Sequence, residues 1–295
     1  MRSLLVTGAS GFLGGHLCRQ GHPHWQMWGT YHAHTVAYPN VPTLPLDLTD
    51  EGSIQACWEQ VRPEAVIHTA ALSQVGQCQH HPDRSYQINV VGTVNLAKCC
   101  AKAQIPFIFT STDLVFDGTT PPYSETDRPC PINIYGQHKA LAEAQVLAQY
   151  PAATICRLPL LVGPATPTAQ CFVQPFLAAI AAGTPQTLFT DEIRTPAAVA
   201  DVIQGLHLVL AQGITGYLHL GGPEAFNRYD LGLLMATSWG APTESLQPGL
   251  QSAIALTTPR PKDVTLNSQK AFDLGYAPQP LKLALAGMSQ LSAQR

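Results

Sequence analysis

The chain has 295 residues, of which 45% are apolar and 12% charged, and its formal net charge is −3. Such a composition supports a large buried core and excludes a disordered chain, which would be poor in apolar residues and rich in charge. There is no long basic run of the kind that marks a nucleic-acid surface, and no apolar run reaches the roughly 20 residues that a membrane helix needs.

Residues 4–7 form a short apolar run that reads as a first strand; Gly8, Ser10 and Gly11 break it too early for the core of a secretory signal. Helical patterning follows over residues 12–20. Strands are predicted over 26–31 and 44–48, with a helix beginning near Thr49 and Asp50. A buried strand is predicted over 65–69, one long helix over 82–103, a strand over 106–111, a helix over 135–149 and a strand over 154–158. Strands separated by helices of this length predict an α/β fold, a Rossmann-type doubly wound parallel sheet with right-handed crossovers. Residues 1–158 are therefore expected to form a dinucleotide-binding domain. Beyond them Pro159, Gly163-Pro164, Gly183-Thr184-Pro185 and Gly221-Gly222-Pro223 punctuate the chain. They predict a smaller, interleaved substrate lobe over 159–295, with returns to the sheet near 197–221 through a helix at 197–210 and a strand at 217–220.

The chain's eight cysteines include no Cys-x-x-Cys pair and fit reduced thiols in a cytoplasmic protein. His80-His81 and the His32/His34 pair lack a companion cluster of thiols or carboxylates, so no metal site is expected.

Thr7-Gly8-Ala9-Ser10-Gly11-Phe12-Leu13-Gly14 falls at the first strand–helix junction. Glycine there permits a tight turn and a close approach by a pyrophosphate, and the helix start offers free N–H groups and a positive dipole end. Gly8, Ser10, Gly11, Phe12, Leu13 and Gly14 are thus candidate cofactor contacts. The spacing is Gly-x-x-Gly-x-x-Gly rather than Gly-x-Gly-x-x-Gly. Asp47 and Leu48 follow the third apolar segment, where a carboxylate can accept from an adenine amino group; a helix-capping or turn-forming Asp is the alternative.

Tyr135 and Lys139 lie one helical turn apart on one face. A carbonyl reductase needs a proton donor, and a free tyrosine, with a pKa of about 10, needs help to act near neutrality. A nearby Lys cation is expected to lower it. Ser111 and Thr112, at the end of a strand, offer hydroxyls to a substrate carbonyl oxygen.

These pieces, together with His68-Thr69-Ala70-Ala71, Asn89-Val90-Val91-Gly92-Thr93 and Arg157, resemble the extended short-chain dehydrogenases/reductases. The run from Ser111 to Gly118, then Tyr123-x-Glu125-x-Asp127-x-Pro129, Arg194-Thr195-Pro196 and Arg260-Pro261-Lys262-Asp263, is most similar to the dTDP-4-dehydrorhamnose reductase branch. The resemblance spans nearly the whole chain. It implies Thr112, Tyr135 and Lys139 as catalytic residues, with Tyr135 and Lys139 also touching the cofactor. It implies Ala70 and Ala71 on the adenosine side, and Ser111, Asp113 and Arg260 toward a nucleotide-sugar substrate. Asn89 would brace the active-site strands.

The resemblance further implies an NAD(P)H-dependent keto-sugar-nucleotide reductase, with a homodimer left open, and the composition leads us to expect no nucleic-acid or membrane partner. A nucleotide-sugar epimerase or dehydratase with tightly bound NAD, and a non-catalytic NADP-binding regulatory subunit, are the competing readings. Two departures stand out. The stretch 158–163, Leu-Pro-Leu-Leu-Val-Gly, lacks the aromatic residue usual near the sugar. The end of the second strand has neither an acid for a ribose hydroxyl nor an Arg for a 2′-phosphate. His32 and His34 there favour NADP(H), with NAD admitted.

Overall fold

The computed structural model describes residues 1–255 and 257–293. Seven strands form one sheet: β1 (Arg2–Thr7), β2 (Trp25–Tyr31), β3 (Thr43–Pro45), β4 (Ala65–His68), β5 (Phe107–Thr112), β6 (Thr154–Leu158) and β7 (Gly216–His219). All pair in parallel, in the order β7-β6-β5-β4-β1-β2-β3. Both faces are covered, which is why the strands read as continuous apolar runs. Leu4, Val6, Ile67 and Ile108 turn toward α1 (Phe12–Gln20) and the helix Val199–Gln212. Leu5, Val66, Phe107 and Phe109 turn to the other side, against α2 (Glu51–Val61), α3 (Thr93–Ala103) and α4 (Ile134–Gln149). This is the period-2 alternation of a strand packed on two sides.

The sheet reverses its winding between β1 and β4, which pair through Thr7 and His68 at their carboxyl ends. The connections leaving these strands diverge, and a crevice opens between them. α1 and β6 have the bounds that the sequence pattern predicts. The long helix predicted over 82–103 is instead three pieces: Pro82–Tyr86, a π-helical segment Gln87–Gly92, and α3. The wider π turn carries Asn89, whose side chain accepts from Leu72 N at 2.9 Å and donates to Leu72 O at 3.0 Å. The strand predicted over 44–48 ends at Pro45, which frees residues 46–49 to wall the crevice.

In the second half, short strand pairs join Leu161–Val162 to Ala197–Ala198, Ile193–Arg194 to Phe226–Asn227, and Gln186–Phe189 to Leu246–Gly249. They enclose a third apolar cluster around Val162, Phe176, Leu231, Met235 and Leu285. Among the described residues no helix is long and apolar enough to cross a membrane, and no group of three or more His, Cys, Asp or Glu could hold a metal ion.

One ion pair fixes the helix that carries the candidate catalytic residues. Arg157 on β6 donates from Nη2 to Glu143 Oε2 on α4 at 2.8 Å, with both side chains at most 1% exposed. The guanidinium lies 5.0 Å from the centre of the Phe116 ring and 4.3 Å from that of Tyr217. Removing one member of such a pair leaves an uncompensated buried charge. Glu143→Ala is expected to destabilise the protein by about 3–5 kcal/mol, and Glu143→Gln by less. Urea unfolding checks this, and a loss for Glu143→Ala within about 0.5 kcal/mol of zero, the range of ordinary surface changes, would contradict it.

Candidate active site

The crevice at the switch point is a cavity of about 670 Å³. Gly8, Ser10, Gly11, Phe12, Leu13 and Gly14 line one wall, and Asp47, Leu48, Ala70 and Ala71 line others. Gly8 has φ +75°, and a Cβ there would come within 2.8 Å of Ala70 Cα. A Cβ on Gly14 would overlap the Gly8 carbonyl. Glycine is thus required both for the left-handed turn and for the seating of the helix on it. The N-cap of α1 is Gly11, which has no capping side chain, and the first turn carries no acid. Its amide donors and dipole therefore face the cavity uncompensated, as a pyrophosphate site needs.

Thr7 holds this region together. Its hydroxyl accepts from Thr69 N and Ala70 N, both at 3.2 Å, and lies 2.7 Å from His68 Nδ1. With two N–H groups donating to it, the hydroxyl hydrogen goes to His68. His68 Nε2 then donates to Thr93 Oγ1 at 3.0 Å, and Thr93 donates to Asn89 O at 2.9 Å. Burial, with the Lys139 charge adding, pushes the His68 pKa down to about 3, so the ring is the neutral link this chain requires.

Asp47 lines the cavity and also forms a turn. Its Oδ1 accepts from Thr49 N at 2.8 Å and Thr49 Oγ1 at 2.7 Å, and His32 Nε2 lies 3.6 Å from Oδ2. The Thr49 hydrogen bonds, with His32 adding, hold its carboxyl below the usual carboxylate range. Asp50, not Asp47, caps α2. His32 lines the cavity with Tyr31 and Thr30, whereas His34 is not among the lining residues.

At the other end stand Ser111, Thr112, Tyr135 and Lys139. Ser111 Oγ is buried without a protein partner. Thr112 donates to Asp113 Oδ1 at 3.1 Å and accepts from Leu114 N at 3.2 Å. Lys139 donates to Thr110 O at 2.7 Å, and its ammonium sits 3.9 Å from the centre of the Phe109 ring. The expectation that Lys139 lowers the Tyr135 pKa needs correction. Burial pushes the Tyr135 phenol up, and Cys78 and Asp113 add to the shift. Burial also pushes Lys139 down to about 7, against the opposing pull of Glu143. Burial disfavours the charged form of each and drives both toward their neutral forms.

Thr112 and Tyr135 also line a second cavity of about 640 Å³, under residues 159–161 and the second half of the chain. Asp113 and Arg260 both face it, already paired. Arg194 Nη1 donates to the two Asp113 carboxylate oxygens at 2.8 and 2.9 Å. Buried Glu192 takes Arg228 Nη2 at 2.6 Å, Arg260 Nη1 at 3.3 Å and Arg194 Nη2 at 3.6 Å. Burial works to raise the Glu192 pKa, and Arg228 and Arg194 more than offset it. Three guanidiniums face two carboxylates, so this wall is net cationic.

Sequence reasoning misses Leu72, Ser73, Arg84 and Ile88 in the first cavity, and Glu192 and Arg228 in the second. Arg194 is quoted there only as part of a motif.

This arrangement sets the class: the chain is an extended short-chain dehydrogenase/reductase. It belongs to the family described as RmlD substrate binding domain, whose model matches residues 1–292. It is similar to the probable low-salt glycan biosynthesis reductase of Haloferax volcanii, with 30% identity over 96% of each chain. It is also similar to the methionine adenosyltransferase 2 subunit beta of Xenopus laevis, with 29% identity over 93% of this chain and 83% of that one. Among solved structures, a dTDP-4-dehydrorhamnose reductase from Bacillus anthracis in complex with NADP shares the fold. Its TM-score is 0.86, with 23% identity over 98% of this chain and 99% of that one.

The depressed Lys139 pKa has a sign that can be tested. The unfolded lysine titrates near 10.4 and the folded one at about 7. Below pH 7 both states are charged and the burial penalty is full; between about 7 and 10 the folded state sheds its proton first and the penalty fades. Lys139→Met is therefore expected to gain stability over the parent at pH 6, with the gain shrinking steadily toward pH 9.5. Unfolding free energies of the ligand-free protein across that range check it, and a gain independent of pH would refute it.

Proposed function

We propose that the protein reduces the keto group of a nucleotide sugar such as dTDP-4-dehydrorhamnose, with NADPH favoured and NADH accepted. One observation carries this reading: Thr112 and Tyr135 stand where the dinucleotide cavity meets a second cavity with a net cationic wall. The second cavity suits an anionic nucleotide, and its junction with the first suits a carbonyl.

In this reading Gly8, Ser10, Gly11, Phe12, Leu13 and Gly14 hold the pyrophosphate through backbone N–H groups. Asp47 and Leu48 meet the adenine, and Ala70 and Ala71 border the adenosine. Bound NADPH supplies the hydride. Tyr135, held in its protonated form by burial, gives its proton to the developing oxyanion. Lys139 holds the nicotinamide ribose. The unpartnered Ser111 hydroxyl donates to the carbonyl oxygen, and Thr112 joins it when its hydrogen turns from Asp113 Oδ1 to the substrate. Asp113 acts through Arg194, and Arg260 faces the nucleotide. Residues 1–158, with returns near 197–221, serve as the dinucleotide domain, and residues 159–295 mainly as the substrate lobe. The setting is a cytoplasmic protein with no nucleic-acid partner and with homodimer formation left open. The reductase name of the Haloferax relative and the NADP held by the Bacillus structure support the reading.

Elimination of water has no machinery here. Leu114, beside the reacting centre, cannot abstract a proton, and Asp113 is engaged by Arg194. Tyr135→Phe is expected to keep fold and cofactor affinity and to lose about a hundredfold or more in turnover. Unchanged turnover with chemistry rate-limiting would remove Tyr135 from the mechanism.

Substrate choice is checked in two tubes, one with dTDP-glucose and one with dTDP-4-dehydrorhamnose plus NADPH. The expected result is stoichiometric NADPH oxidation in the second and no reaction in the first. Keto-sugar accumulating in the first tube would replace the reductase with a dehydratase. NADPH binding with no turnover in either tube would sink the nucleotide-sugar assignment.

A further inference from the structure

Resting on the dinucleotide reading above, we propose that Arg84 clamps the cofactor pyrophosphate from the side opposite the glycine turn. The turn itself contains no cationic side chain, so backbone N–H groups and a helix dipole face a doubly charged group alone. Lys139 also lines this cavity, but its ammonium is turned to the Thr110 carbonyl and the Phe109 ring. His32 is turned to Asp47. Arg157, Arg194, Arg228 and Arg260 are each paired with a carboxylate. Arg84 is the one guanidinium that lines the dinucleotide cavity among the described residues, and it is exposed, with no carboxylate in salt-bridge range.

Its position selects the pyrophosphate over the other anionic group of NADPH. Arg84 and Ile88 are four residues apart, on one face of the helical stretch that runs from Pro82 into the π segment, and both line the cavity. Ile88 packs in the same apolar cluster as Ala70, and Ala70 is the residue against which Gly8 makes its closest approach. Arg84, one turn before Ile88, lines the same cavity as Gly8, Gly11 and Gly14 and is exposed to solvent. The 2′-phosphate side is the end of β2, where Tyr31 and His32 line the cavity. The planar Arg84 guanidinium can take two phosphate oxygens at once, while solvent access keeps the contact sensitive to salt.

The test is calorimetric binding of NADPH, NADH and adenosine to the parent protein, Arg84→Ala and Arg84→Lys. The expected result is a loss of about five- to tenfold for both dinucleotides in Arg84→Ala, by the same factor, with adenosine unaffected. Arg84→Lys should recover part of the loss, and the loss should shrink between 50 and 500 mM salt, a range over which the Debye length falls severalfold. Unchanged affinity for the dinucleotides overturns the proposal. So does a loss confined to NADPH, which would put Arg84 on the 2′-phosphate, and so does an equal loss for adenosine, which would put it on the base. If the parent protein binds neither dinucleotide, the cofactor reading falls as well, an outcome distinct from normal parent binding with an indifferent variant.

Discussion

The Thr7 hydroxyl joins β1 to the segment leaving β4, and from there, through His68 and Thr93, to the backbone of the π-helical segment. The other contacts at the switch point depend on how close these pieces lie. With residues 69–70 drawn against β1, Ala70 comes so near Gly8 that a side chain there has no room, and α1 can sit only where Gly14 meets the Gly8 carbonyl. Asn89 then holds Leu72 by both its N–H and its carbonyl, extending the same wall. The shape of the first cavity is thus set by hydrogen bonds between uncharged groups. Their neutrality is preserved because burial denies His68 a proton.

A second, charged chain begins where the first cavity ends. It runs from Thr112 to Asp113, to Arg194, to Glu192, and out to Arg228 and Arg260. Each buried charge has an opposite partner, which satisfies the desolvation demand without neutralising the wall. The contrast between the two ends of the site follows. The end with Tyr135 and Lys139, proposed to handle the proton, buries its ionisable groups and pushes them toward neutrality, whereas the wall around Glu192 keeps its charges.

Much of this was legible in the sequence. The glycine turn, the alternation of strands and helices, and the Tyr135/Lys139 spacing are local signals, and α1 and β6 have the bounds the pattern gives. The π-helical segment was not legible, and the partner that its Asn89 amide meets lies in a loop 17 residues earlier. Nor was the Glu192 centre. Glu192, Arg228 and Arg260 are far apart in the chain, and Glu192 meets Arg228 where Ile193–Arg194 pairs with Phe226–Asn227. The direction of the Tyr135 shift also escaped, since a one-turn spacing says nothing about how much water reaches either group. The Asp47 turn stood in the sequence as the alternative to adenine contact, and the carboxylate does make that turn with Thr49 while lining the cavity.

Gly136 follows Tyr135 and has no space for a side chain, because a Cβ there would overlap the Leu114 carbonyl. The helix bearing Tyr135 and Lys139 is therefore seated directly on the turn bearing Thr112, and these residues form one rigid block with the sheet. The wall opposite is assembled from separate stretches around 192–194, 228 and 257–261, which meet at a single carboxylate. Glu192 and Arg194 in that wall are buried, so it is held by its ion pairs rather than by the seating of the helix on the Leu114 carbonyl. The two sides of the second cavity are thus fixed by different means, one by close backbone packing and the other by charge.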